Sequence, residues 1–252
     1  MADYHRRETC RMCAGRALER ALELTPTPPG NRVLTAEEIE RPGPAYPLEV
    51  DFCRDCFHLQ LAHVVDPRIL YQKSYSYVSG TSPVFVQHLR DYAAGAVRAH
   101  RLAPGDLVVD IGSNDGTCLS FFQQAGMRVL GVDPATEIAA RATEGGVETV
   151  PAFFDLELAT RLRAERGPAR LITSHNACAH IDDLDGVAAG VRHWLADDGV
   201  FIVEVGYLLD VFQNLWFDTI YHEHLDYHSV APFRAFFARH DMELVAALVE
   251  LE

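Results

Sequence analysis

LVVDIGSNDG (107–116) is the stretch whose reading decides the fold. It begins as a short apolar run of strand type and breaks at a glycine turn. TCLSFFQQAG (117–126) follows as a helix closed by glycine. Gly112 permits the tight turn. Gly116 lets the helix N-terminus approach closely, where free N–H groups can face a carboxylate or phosphate. Downstream the alternation repeats. RVLGVDP (128–134), VETVPAFF (147–154), ARLITSHNA (169–177) and VFIVEVGY (200–207) read as strands. Residues 136–146, 155–167 and 184–199 read as the helices between them. This order predicts parallel βαβ units and a doubly wound α/β sheet. APFRAFFARHD (231–241) is expected as a helix and MELVAALVELE (242–252) as a sixth strand.

Upstream the pattern is different. TPTPPGN (25–31) and RPGPAYP (41–47) mark loops, and residues 1–60 read as irregular. LYQKSYSYVSGTS lies within a Tyr-rich stretch, 61–82. Residues 83–101 read as a helix, with Phe85, Leu89, Tyr92 and Val97 near helical spacing. The expected division is a small N-terminal lobe (1–66), a linker and lid helix with the Tyr/Ser-rich segment (67–104), and a C-terminally incomplete α/β core (105–252).

The 252 residues carry 22 basic and 36 acidic side chains, a net charge of −14. That field disfavours nucleic acid, whose phosphates need Lys/Arg neutralisation. No apolar run approaches the ~20 residues that span a bilayer, and the N-terminus lacks a signal-type apolar segment. A cytoplasmic protein without a membrane partner is the expectation. In that compartment six cysteines read as metal ligands or buried thiols.

Cys10-x-x-Cys13 and Cys53-x-x-Cys56 can place four thiolates around one tetrahedral zinc. Four thiolates leave no open coordination position, so the metal is structural. A redox CxxC needs a thioredoxin-like setting, absent here. His58 and His63 read as packing residues, and Cys118 and Cys178 as buried apolar ones.

The turn is not a full GxGxxG, because Asn114 replaces the middle glycine. Asp110 ends the first strand, and Asp133 ends the second, where an acid accepts bonds from ribose hydroxyls. S-adenosylmethionine (SAM) and a nicotinamide nucleotide both remain open on this motif. Asn176, at the end of the fourth strand, faces the same crevice by topology.

LWFDTIYHEHLDYHS (215–229) holds the densest chemistry. A histidine can take a proton from carbon beside a carbonyl, a nearby Glu can orient it, and Tyr can bond the developing enolate oxygen. The zincin HExxH fails, since Asp226 stands where its second histidine would be. A metal-free acid/base site is the preferred reading over a catalytic metal.

In this order, the CxxC pairs, YSYVSGTS, DIGSNDG…GVDP and YHEHLDYHS resemble the sugar-nucleotide C-methyltransferases of deoxysugar biosynthesis. The resemblance runs along essentially the whole chain. It implies a Rossmann-like class I methyltransferase sheet preceded by a small zinc lobe. It also implies SAM-dependent methylation of carbon beside the keto group of a nucleotide-linked 4-keto-6-deoxyhexose. Cys10, Cys13, Cys53 and Cys56 would hold structural zinc. Asp110, Gly112, Asn114, Gly116 and Asp133 would line the SAM site, with Asn176 beside them. His224 would be the base, Tyr221 and Glu223 would assist, and His180 would face the reaction centre with either Tyr75 or Tyr77. The family sheet has a seventh strand and continues into a C-terminal domain, so the chain reads as truncated, or as a half whose remainder is supplied in trans. The alternatives are a nicotinamide-dependent oxidoreductase, a methyltransferase acting on another enolisable small molecule or on O or N, and a non-catalytic zinc module.

Overall fold

The computed structural model describes residues 3–31, 36–40, 43–72 and 75–248. The first strands are β1 (Tyr4–Arg6), β2 (Leu18–Thr27), β3 (Tyr46–Cys53), β4 (Leu59–Leu61) and β5 (His63–Val65), with a short helix α1 (Ala36–Ile39) after β2. Then follow α2 (Pro83–Ala99), β6 (Leu107–Ile111), α3 (Thr117–Gln124), β7 (Arg128–Val132), α4 (Thr136–Glu144), β8 (Thr149–Val150) and α5 (Leu156–Arg166). β9 (Ala169–His175), α6 (Leu184–Trp194), β10 (Leu195–Glu204), α7 (Leu208–Gln213), β11 (Asp226–Tyr227) and α8 (Val230–Ala238) complete the order.

Two compact units form. One comprises Tyr77–Ala177 and Asp185–Glu204. Its sheet is parallel, in the order β10-β9-β6-β7-β8 among the described residues. β6 and β9 are neighbours but not consecutive, so the topology switches between them, and ligands of open α/β sheets bind outside the carboxyl ends at such a point. β6 is buried throughout, as a strand covered on both faces must be. Leu89 of α2, Leu119 and Phe122 of α3, and Val108 and Leu171 of the sheet share one core. Ser82 caps α2 by accepting from the N–H of Phe85, and Pro83 occupies the first turn, where no N–H is needed.

The other unit comprises Met1–Ser76, Cys178–Leu184 and Val205–Glu252. Its antiparallel sheet has the order β11-β4-β3-β2, with a β1-β5 ribbon. Leu48, Val50, Leu61 and Val64 pack with Leu225 and Tyr227 from the far end of the chain. This division differs from the linear one expected at residues 66 and 104. The reason is β11, which pairs Asp226 with Gln60 and Tyr227 with Leu59. The histidine-rich segment therefore folds onto the zinc-lobe sheet.

Three other expectations are corrected. Residues 1–60 are not irregular: Leu18–Thr27 is a ten-residue strand that includes Pro26. β2 lies at the sheet edge, where a residue lacking an N–H is tolerated. The helix expected over 184–199 stops at Trp194, because Leu195 already pairs with Ala169. A register shift then separates Leu195 from Val200, and Gly199 fits there because a Cβ would stand 2.9 Å from the Ala169 carbonyl. The sixth strand is absent over 242–248, and residues 249–252 lie outside the described residues. Val245 and Leu248 are exposed without a strand partner among the described residues. Among the described residues no helix is long and apolar enough to cross a membrane.

Phe122→Ala is expected to cost about 3–5 kcal/mol, read as a lower urea midpoint with an unchanged m-value.

Candidate active site

The four cysteines of the two CxxC pairs converge. Cys10 Sγ lies 3.5 Å from Cys56 Sγ, and Cys13 Sγ 3.6 Å from Cys53 Sγ. All four sulfurs lie within 4.8 Å of one another. Tetrahedral zinc with bonds of about 2.3 Å sets its ligands about 3.8 Å apart, so the set fits that ion. The two pairs fold alike. Ala14 N–H donates to the Cys10 carbonyl and Phe57 N–H to the Cys53 carbonyl, at 2.9 Å each. Ala14 and Phe57, each just after a second cysteine, both have positive φ. Burial pushes the Cys10 thiol up to about 12, so a cation is needed to hold it as thiolate. His58 is fully buried and donates to Asp226 Oδ1 at 2.7 Å, in the packing role expected of it.

At the glycine turn, Asp110 is buried and its Oδ1 has no hydrogen-bond partner among the described residues. Burial pushes its carboxyl up to about 7. Gly112 has φ of 77°, and a Cβ there would stand 2.3 Å from Ala177 Cβ, so only glycine fits. Gly116 also has positive φ, but its close approach is to Val147. Its N–H donates to the Ser113 carbonyl, and Asp115 accepts from Thr117 N–H. The helix entrance thus satisfies these two donors internally, which corrects the expectation of free N–H groups there.

Asn114 occupies the left-handed region at φ of 50°, which asparagine tolerates better than most residues. Its side chain grips the Tyr/Ser-rich segment: Nδ2 donates to the Tyr77 carbonyl at 3.0 Å, and Oδ1 accepts from Ser79 N–H at 2.9 Å. Asp115 Oδ2 accepts from Gly80 N–H at 3.0 Å. Asp133 is buried, with one oxygen accepting from Asn114 N–H and the other from Ala135 N–H, at 2.8 Å each. Each oxygen keeps a lone pair for a ligand hydroxyl. Asn176, exposed after β9, has φ of 54°. The unpartnered Asp110 oxygen, the Cβ-free Gly112 and the acid after β7 fit a cationic amino acid joined to a ribose, which are the parts of SAM.

In the other unit the histidine-rich segment sorts its side chains. His224 Nδ1 lies 2.8 Å from the Thr219 carbonyl, an acceptor only, so Nδ1 carries the proton. Its Nε2 then has a lone pair, which accepts from Tyr221 O–H at 2.7 Å. Burial holds His224 below the ordinary imidazole range. His180 stacks on His224 at 5.0 Å between ring centres, and burial together with His224 lowers it to about 3. Glu223 is buried, is raised by that burial, and accepts from Asn31 Nδ2 at 2.9 Å.

The remaining histidines point elsewhere. His222 donates to the Tyr46 carbonyl at 3.2 Å, and His228 lies beside His58. Tyr75 stands edge-on to Tyr71 at 5.5 Å within this unit, whereas Tyr77 belongs to the other unit and is 47% exposed. Sequence reading missed Tyr71, which stacks on His180 with its hydroxyl buried and unpartnered among the described residues. It also missed Asn31. Tyr71 lies in the Tyr-rich stretch but outside YSYVSGTS, and Asn31 lies in a segment read as a loop, so neither was singled out.

Residues 85–247 match the methyltransferase domain family, and residues 10–71 match a zinc binding domain family. The C-methyltransferase NovU of Streptomyces niveus is 38% identical over 238 residues, which cover 94% of this chain and 56% of NovU. The chain thus spans about half the length of this curated relative. Among solved structures, the YcgJ protein of Bacillus subtilis aligns with a TM-score of 0.48 at 21% identity, over 61% of this chain and 68% of that one. Magnesium protoporphyrin IX methyltransferase of Synechocystis, with bound SAM, aligns with a TM-score of 0.45 at 17% identity, over 62% of this chain and 67% of that one. The family matched over residues 85–247 is a methyltransferase domain, not a nicotinamide-dependent one.

Metal analysis of purified chain is expected to give one zinc per molecule. Cys13→Ser should remove it and cost about 3 kcal/mol, a fall in Tm of about 6–12 °C.

Proposed function

Because the chain belongs to the methyltransferase domain family and carries a zinc-binding lobe, we propose that it methylates a carbon beside the keto group of a nucleotide-linked 4-keto-6-deoxy sugar. The observation that carries this reading is the Tyr221–His224 pair. A hydroxyl or amine acceptor is already nucleophilic, whereas a carbon acceptor must first lose a proton. His224 answers that need, being held neutral with its lone pair on Nε2.

The residues act as follows. His224 Nε2 removes the proton from the carbon beside the ketone, and the C–H electron pair passes to the carbonyl oxygen as an enolate. Tyr221, relieved of its bond to Nε2, donates to that oxygen. Thr219 keeps Nδ1–H in place, so the ring receives the proton at Nε2. Glu223, anchored by Asn31, and Tyr75 or Tyr71 fix the sugar's hydroxyls. Asp110, Gly112, Asp133 and Asn176 hold SAM, which when bound supplies an electrophilic methyl group. Asn114 and Gly116 act on that site indirectly, by shaping the turn. Zinc holds the lobe and takes no part in the bond changes.

A panel of nucleotide 4-keto sugars incubated with SAM is expected to give one product heavier by a methylene, with the new methyl on carbon by NMR. Methylation confined to oxygen or nitrogen would contradict the reading. His224→Ala should lower kcat by about 10²–10⁴-fold while calorimetric SAM affinity stays unchanged. Because the base must be neutral and its pKa is lowered, activity should be level at neutral pH and fall only below the ordinary histidine value of about 6.5. Gly112→Ala should weaken SAM binding and cost about 1–3 kcal/mol of stability, measured by calorimetry and thermal melting.

A further inference from the structure

Arg11 lies between the first two zinc-site cysteines, and its side chain is fully buried. Its main-chain N–H donates to Gln60 Oε1 at 2.8 Å. Its Nε donates to Asp182 Oδ1 at 2.9 Å and lies 3.8 Å from Asp226 Oδ2. Its Nη1 donates to the Leu61 carbonyl at 3.0 Å and lies 3.4 Å from the Leu225 carbonyl. The placement of these partners is informative. Asp182 stands two residues beyond His180, and Asp226 two beyond His224. The same two segments also meet through Leu225 N–H, which donates to the Ala179 carbonyl at 2.8 Å.

One guanidinium thus holds both segments whose histidine rings stack. We propose that Arg11 is a positioning residue that sets the His180–His224 ring pair, so that zinc binding at Cys10 and Cys13 is coupled to the geometry of the base. The coupling has a short covalent route, since Cys10 and Cys13 fix the main chain on either side of Arg11. A guanidinium suits the task because its fork is planar, stays charged when buried, and can serve carboxylates and carbonyls together. Asp182 has a further cation in Arg7, at 2.7 Å, so its charge stays compensated when Arg11 is changed. The word base rests on the function proposed above, but the ring geometry does not.

The test needs no substrate. The full chain is labelled with ¹⁵N-histidine, and long-range ¹H–¹⁵N spectra report which imidazole nitrogen carries the proton. Zinc content is measured on the same samples. In the wild type His224 is expected as a single Nδ1–H tautomer. In Arg11→Met, with zinc still at one per chain, that tautomer should give way to a mixture and the His180 signals should shift. Arg11→Lys should recover part of the wild-type pattern. Unchanged His224 and His180 signals in zinc-loaded Arg11→Met would overturn the proposal. Where Arg11→Met is not recovered folded, Asp182→Asn serves instead, since it keeps the arginine and removes its closest carboxylate. Unchanged signals there would overturn the proposal equally. A chain that methylates no keto sugar yet shows these shifts would refute the function above and leave Arg11's role standing.

Discussion

Asp226 is a fully buried carboxylate, and the arrangement of the zinc-lobe unit depends on its being compensated. Burial alone would raise its pKa, but Arg11, the His58 N–H and His228 outweigh that and hold it below the usual range. Removing one partner of such a group leaves an uncompensated charge in the interior, at a cost of about 3–5 kcal/mol. The requirement has a topological result. Asp226 meets His58 and Arg11 only when β11 lies against β4, so a segment more than 150 residues downstream joins the N-terminal sheet. Tyr221, Glu223 and His224 are carried into place by that pairing.

Around the stacked histidines, burial sets protonation. His180 and His224 stack face to face, which two cations would oppose. Low polarity keeps both rings neutral, and the acceptor at Nδ1 of His224 then decides where the remaining lone pair sits. In the parallel-sheet unit the cofactor turn relies on a different device. Asn114, with both ends of its amide spent on Tyr77 and Ser79, ties the Tyr/Ser-rich segment to the turn. A glycine there would offer bare backbone to a pyrophosphate but could not make that tie.

The sequence was legible where the physics is local. Parallel strands buried on both faces, such as Leu107–Ile111, read as plain apolar runs, and paired CxxC spacing announces its own geometry. Legibility failed where a tertiary partner decides. Leu18–Thr27 is mostly exposed at a sheet edge, so it lacks a clean alternation, and its proline reads as a break. β11 is two residues long and gives no periodic signal. Residues 242–248 carry strand-like apolar residues, yet a strand needs a neighbour, and Val245 and Leu248 have none among the described residues. His222, His224 and His228 look equivalent along the chain. Only their partners, the Tyr46 carbonyl, Tyr221 with Thr219, and the Asp226 cluster, distinguish them.

In the function proposed, His224 makes a carbon acid nucleophilic. The most direct measurement is hydrogen exchange at the carbon beside the ketone, followed by NMR in D₂O, with a nucleotide 4-keto sugar and S-adenosylhomocysteine in place of SAM. Deuterium incorporation at that one carbon is expected of the wild type, and its loss in His224→Ala. Methylation of the same sugar by His224→Ala at the wild-type rate, with no exchange by either protein, would contradict it.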